Sequence, residues 1–76
     1  MLSLDHLDKN CTAQVLSLNF SPSVQQRFAQ MGIGIGEQIA VVRSSVANSP
    51  LMVRVNGAYF MIRRQDAQQI QVSIAP

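Results

Sequence analysis

Leu51-Met52-Val53-Arg54-Val55-Asn56-Gly57-Ala58-Tyr59-Phe60-Met61-Ile62-Arg63 reads as two β-strands folded back on each other. Asn-Gly between apolar runs is the strongest short hairpin signal, because a type I′ turn needs positive φ at both central residues. A two-residue turn also fixes the register, so the cross-strand pairs can be written down. Val55 faces Ala58, Arg54 faces Tyr59, Val53 faces Phe60, Met52 faces Met61 and Leu51 faces Ile62. Paired residues share a side of the sheet. One side is therefore Leu51, Val53, Val55, Ala58, Phe60 and Ile62, wholly apolar and expected in the core. The other side is Met52, Arg54, Tyr59, Met61 and Arg63. Methionine, arginine and aromatic residues are enriched at protein interfaces. That side admits two readings: the N-terminal segment or a helix covers the methionines, or the face docks a partner.

Upstream, Ser21-Pro22 marks a helix start. A serine N-cap can accept a bond from an orphan amide, and proline suits the first helical position. Val24, Phe28 and Met31 follow on one helical face, while Gln25, Gln26 and Gln30 fall elsewhere and can face water. Gly32 stands where a left-handed residue ends a helix, which predicts one helix of about ten residues. Before it, Thr12–Phe20 is rich enough in apolar residues to be a strand, with Val15 and Leu18 out of strict alternation. The first seven residues predict a short turn or helix, with Leu2, Leu4 and Leu7 available to pack. Beyond the glycines, Gln38–Ser44 predicts a strand, Ser44–Pro50 a polar loop, Arg64–Gln69 a short connection or single helical turn, and Ile70–Ile74 a last strand. Five short strands, one helix and tight turns predict a mostly β fold, a small five-stranded barrel with the helix between its first two strands.

Composition agrees with a folded chain and narrows its chemistry. The 76 residues are 47% hydrophobic and 13% charged, too apolar for disorder and too few to divide into two cores. Residues 1–76 are expected to form one domain. Cys11, the sole cysteine, has no disulfide partner within the chain, and the N-terminal stretch does not read as a secretory signal, so a reducing cytoplasm is the expected setting. No apolar run is long enough to span a membrane. The formal net charge of +2 permits an acidic partner, whereas nucleic-acid binders concentrate a larger excess on one face.

Several motifs invite sharper functions and fail on physical grounds. Gly32-Ile33-Gly34-Ile35-Gly36 follows a helix and precedes a strand, the reverse of a phosphate-cradling loop, whose glycines open a helix. Gly32 and Gly36 read instead as structural turn residues, like Asn56 and Gly57. Asp5, His6, Asp8 and Cys11 match no standard metal-ligand spacing. Serine or cysteine nucleophiles need a base oriented by a third group, and the four acids show no acid–base pairing. The chain therefore reads as a binding module and not an enzyme, with no cofactor. Arg27, beside Phe28 on the helix, reads as a solvated side chain or an additional partner contact.

Arg27-Phe28-Ala29-Gln30-Met31-Gly32-Ile33-Gly34-Ile35-Gly36-Glu37-Gln38-Ile39 resembles the signature of the ferrous iron transport protein A family, FeoA, in which Arg-Leu-x-x-Met-Gly-(Ile/Leu)-x-Pro-Gly-x-x-Ile occupies this place. Ile39–Arg43, Pro50, Val53, Val55-Asn56-Gly57, Ile62-Arg63, Ala67 and Ile70-Gln71-Val72 recur in matching order, so the similarity runs from about Leu4 to Val72. Phe28 stands for the usual leucine, and Ile35 stands where the family often has proline. The resemblance implies a Src-homology-3-like barrel with an inserted helix. It further implies a cytoplasmic accessory of the membrane ferrous iron transporter FeoB, whose cytoplasmic part binds GTP, reached by the chain at the membrane only through that partner. It leaves direct metal binding and self-association open. Two alternatives are the similar accessory domain of a metal-dependent regulator, which would need a DNA-binding segment from another polypeptide, and a small RNA-binding barrel. The latter calls for stacking aromatics and a basic groove, whereas Tyr59 is the only aromatic on the outward side.

Overall fold

Register, more than propensity, organises this molecule. A computed structural model describes residues 2–44 and 49–74. Along the chain run β1 (Leu2–Ser3), a 3-10 turn (Leu4–His6), β2 (Thr12–Leu18), α1 (Pro22–Gln30), β3 (Gln38–Ser44), β4 (Leu51–Val55), β5 (Ala58–Ile62), α2 (Arg64–Ala67) and β6 (Ile70–Ile74). All strand pairs are antiparallel, in one sheet of order β1-β6-β2-β3-β4-β5. The sheet curls round its core into a small barrel-like shape without β1 pairing to β5. The five expected strands are β2 to β6, with the helix between the first two of them. A sixth strand of two residues precedes the expected N-terminal turn. At 45–48, the expected polar loop lies outside the described residues. No described helix is long and apolar enough to cross a membrane.

The hairpin follows its turn. Asn56 and Gly57 have φ of 52° and 80°, and all five pairs from Leu51–Ile62 to Val55–Ala58 form as the two-residue loop requires. Leu51, Val53, Val55 and Ile62 are buried with Ile39, Val41, Val15, Ile70 and Val72. Ala58 departs from expectation: it is exposed, and Phe60 is only half-buried. The cause is position, because β5 ends the sheet and no strand flanks its far side among the described residues.

Two bulges resolve the broken alternations. Between β2 and β6 the register shifts after Val15, leaving Leu16 without a partner. The extra residue restores parity, so Val15 and Leu18 both reach the core while Leu16 stays exposed. Between β3 and β4 the shift falls at Val42, where Val41 pairs with Val53 and Arg43 with Met52. The strand expected over Thr12–Phe20 stops at Leu18, where Phe20 leaves the ladder to stack on Phe28 with ring centroids 4.9 Å apart.

The helix ends are asymmetric. Ser21 is the N-cap, yet its side chain makes no capping bond; its hydroxyl instead lies 3.3 Å from that of Ser23. At the other end, Gly32 N–H donates to the Ala29 carbonyl and Ile33 N–H to the Phe28 carbonyl, each at 2.9 Å. This is a Schellman closure, which needs a left-handed residue after the cap, and Gly32 has φ of 87°. Ile33 and Phe28, the two ends of the bond that spans more residues, are both buried in the core. Gln25 does not face water as its helical position suggested. Its Nε2 donates to the carbonyls of Leu18 and Phe20, both at 2.9 Å, using both amide hydrogens to tie the end of β2 to the helix.

Gly32→Val should therefore destabilise the chain by more than about 1 kcal/mol, because a β-branched residue resists positive φ. An added Cβ would also lie 3.3 Å from Asn56 Nδ2. At Gly34 a Cβ meets nothing within 4 Å and φ is not in the left-handed region, so Gly34→Ala should leave stability unchanged or raise it by up to about 1 kcal/mol. Denaturant unfolding of the two variants checks both signs. In the same assay Gln25→Met should cost about 1–2 kcal/mol through two lost bonds, and Gln25→Glu more, since a carboxylate cannot donate to two carbonyls.

Candidate functional site

The outward side of the hairpin brings together the five residues expected there. Tyr59 and Met61 are 58% and 57% exposed, Arg54 and Arg63 are exposed, and Met52 is half-buried between its neighbours. Neither the N-terminal segment nor the helix covers Tyr59 or Met61, so the face is open to solvent. Arg63 Nε donates to Asp66 Oδ2 at 3.1 Å, which partly neutralises that corner. Arg54 makes no ion pair among the described residues, so its guanidinium remains available for recognition of an acidic group.

One residue of this face was missed from sequence. Strict alternation from Val41 turns Arg43 toward the core; the bulge at Val42 reverses it, and Arg43 sits exposed beside outward-facing Met52. Two successive valines, Val41 and Val42, were the available hint. A row across four strands, Thr12, Ala40, Arg54 and Tyr59, follows from the pairings. The small Ala40 leaves a recess of about 230 Å³ bounded by Thr12, Gln38, Arg54 and Asn56. The face thus presents two exposed apolar side chains beside a shallow polar recess, with Arg54 between them.

Arg27 lies elsewhere, exposed in the last turn of α1. Gly32, Gly36, Asn56 and Gly57, expected as turn residues, all take positive φ. A second surface that sequence reasoning did not identify is a groove of about 350 Å³ between α1 and the following turn, lined by Leu18, Pro22, Gln26, Ala29 and Ile35. Ile35 is 68% exposed there.

Near the N-terminus, the Ser3 hydroxyl bonds Asp5 Oδ1 and lies 3.2 Å from His6 Nδ1, with Asp5 Oδ1 3.7 Å from the same nitrogen. Serine and aspartate thus approach one ring nitrogen, and the imidazole cannot relay a proton between them as a triad requires. Asp8 and Cys11 do not join this group: no three of His, Cys, Asp or Glu gather in a metal-holding arrangement among the described residues.

Comparison with known proteins sets this geometry in context. Over residues 2–74 the chain matches the FeoA domain. The solution structure of FeoA from Chlorobium tepidum superposes with a TM-score of 0.89 at 29% identity, covering 99% of this chain and 71% of that one. FeoA of Stenotrophomonas maltophilia, solved with zinc and described as a prokaryotic SH3 domain protein, is 25% identical at a TM-score of 0.80, covering 96% and 91%. A manganese-dependent transcriptional repressor shares the fold at 20% identity and a TM-score of 0.85, with 97% of this chain matching 41% of that one. No curated protein matches the chain. The Src-homology-3-like sheet, the helix placed between its first long strands and the match over residues 2–74 lead to one assignment: the chain belongs to the FeoA domain family.

Proposed function

We propose that residues 1–76 act as a single FeoA-like domain and serve ferrous iron uptake as a cytoplasmic accessory. The chain docks on the cytoplasmic GTP-binding part of the membrane transporter FeoB through Met52, Arg54, Tyr59, Met61 and Arg63, with Arg43 at the margin. It approaches the membrane only through that partner. Family membership supports the iron-transport role, and the Stenotrophomonas maltophilia relative is itself put forward as a ferrous iron transport activating factor. The observation that carries the docking surface is the exposure of Tyr59 and Met61 next to an Arg54 with no ion pair among the described residues.

Each residue type has a task. Tyr59 offers a rigid ring with little side-chain entropy to lose. Met52 and Met61 supply adaptable thioethers that fill irregular gaps. Arg54 and Arg43 select carboxylates by paired hydrogen bonds. The complementary surface is therefore acidic with an apolar depression at its centre. Arg27 and the groove beside it would mark the docking site in the competing placement.

Interface energy concentrates in a few aromatic and arginine anchors. Arg54→Ala with Tyr59→Ala should weaken binding to the transporter's cytoplasmic domain by at least about 2 kcal/mol, a roughly thirtyfold rise in Kd. Its melting temperature should stay near that of the wild type, because surface substitutions usually change stability by under about 0.5 kcal/mol. Calorimetric titration of the folded double variant is the measurement. Wild-type affinity in that variant would move the contact off the hairpin.

A further inference from the structure

β5 ends the sheet, with β4 on one side and no strand on the other among the described residues. In a two-residue hairpin the pair next to the turn, Val55 and Ala58, exchanges both main-chain bonds, and bonded and unbonded pairs alternate from there. Ala58, Phe60 and Ile62 therefore direct their N–H and C=O groups at β4. Tyr59 and Met61 direct theirs outward along the open edge. Proteins usually blunt such an edge with lysine, proline, charge or a bulge. Ala58–Ile62 has no charged residue and no proline, and it pairs with β4 without a register shift.

We propose that this edge takes the β5 strand of a second copy of the chain, antiparallel, with the two-fold axis at Phe60. In that register Tyr59 exchanges both main-chain bonds with Met61 of the second copy, and Met61 with its Tyr59, so every outward group of the edge is satisfied. Side chains match as well. Tyr59 meets Met61 of the second copy on the outward side, a favourable ring–sulfur contact. Phe60, half-buried at the edge, meets its equivalent on the core side, and exposed Ala58 meets Ile62. An axis at Tyr59 would draw Gly57 of the turn into the ladder, and an axis at Met61 would draw in Arg63, the cap of α2.

Charge also permits a like partner. Arg63 falls opposite Gly57 of the second copy, which sets the two Arg63 residues about 20 Å apart along the strands, well beyond a Debye length of about 8 Å. The arginines that would select an acidic strand project from the face of β3 and β4, whereas the edge from Ala58 to Ile62 is neutral. A five-residue edge buries little area, so the pairing is transient and concentration-dependent.

Amide hydrogen exchange of the full chain, followed by NMR in dilute and concentrated solution, tests this directly. Protection at Tyr59 and Met61 should rise by about tenfold or more on concentration, while Ala58, Phe60 and Ile62, already bonded to β4, should not change. Met61→Pro deletes an outward N–H at a position where an edge strand accepts proline. Met61→Lys keeps the N–H but sets a charge on the edge, and it carries the test by itself if the proline variant does not fold. Each folded variant should lose the concentration dependence. The proposal is overturned if Tyr59 and Met61 stay unprotected in concentrated wild type, if protection rises at other elements instead, or if a folded variant associates as the wild type does.

Discussion

The turn at Asn56-Gly57 is the constraint on which the rest of this molecule depends. Both residues hold positive φ, which selects the hairpin geometry whose twist matches the strands. Because side chains alternate with a period of two, a slip of one residue would exchange the two faces of both strands. Val53, Val55 and Ile62 would then meet water, and Arg54 would enter the core without a partner. Asn56 also lies near the helix end, where a Cβ added at Gly32 would sit 3.3 Å from its Nδ2. The hairpin turn and the helix closure thus meet, and each requires a backbone that most residues resist.

Local chemistry alone makes part of this legible. The hairpin register, the Ser21-Pro22 start and the Gly32 stop rest on residue types whose backbone preferences are strong, and each is found where those preferences put it. What escaped depends on sheet order or on a single extra residue. Ala58 and Phe60 lie on the apolar side of the hairpin, but their exposure follows from β5 ending the sheet, which no local pattern records. The bulges at Leu16 and Val42 are one-residue insertions that leave only a faulty alternation behind, and the second conceals Arg43. Gln25 looked like a solvent-facing helical residue because its two carbonyl partners come from the end of β2 and the turn after it, seven and five residues earlier.

The candidate site was legible in its membership and not in its accessibility. Met52, Arg54, Tyr59, Met61 and Arg63 share one side by register, yet whether another segment covered them was a question of tertiary placement. In the folded chain one side of the hairpin lies in the core, while on the other Arg54, Tyr59, Met61 and Arg63 are exposed and Met52 is half-buried. Small barrels bury a modest share of their surface, and Tyr59 and Met61 stand exposed together on one hairpin; the proposed docking would give that exposure a use. The acidic residue nearest in sequence, Asp66, is engaged with Arg63, which leaves Arg54 and Arg43 to define the sign of the face.

In the proposed docking, this face meets the transporter. The most direct test is an NMR titration of the chain with the cytoplasmic domain of FeoB, following every assigned amide and the methionine methyl groups. Docking through the hairpin should place the largest shifts on Met52, Arg54, Tyr59, Met61 and Arg43, and they should weaken as salt is raised. Shifts centred on Arg27, Ala29 and Ile35, with the hairpin unperturbed, would contradict it.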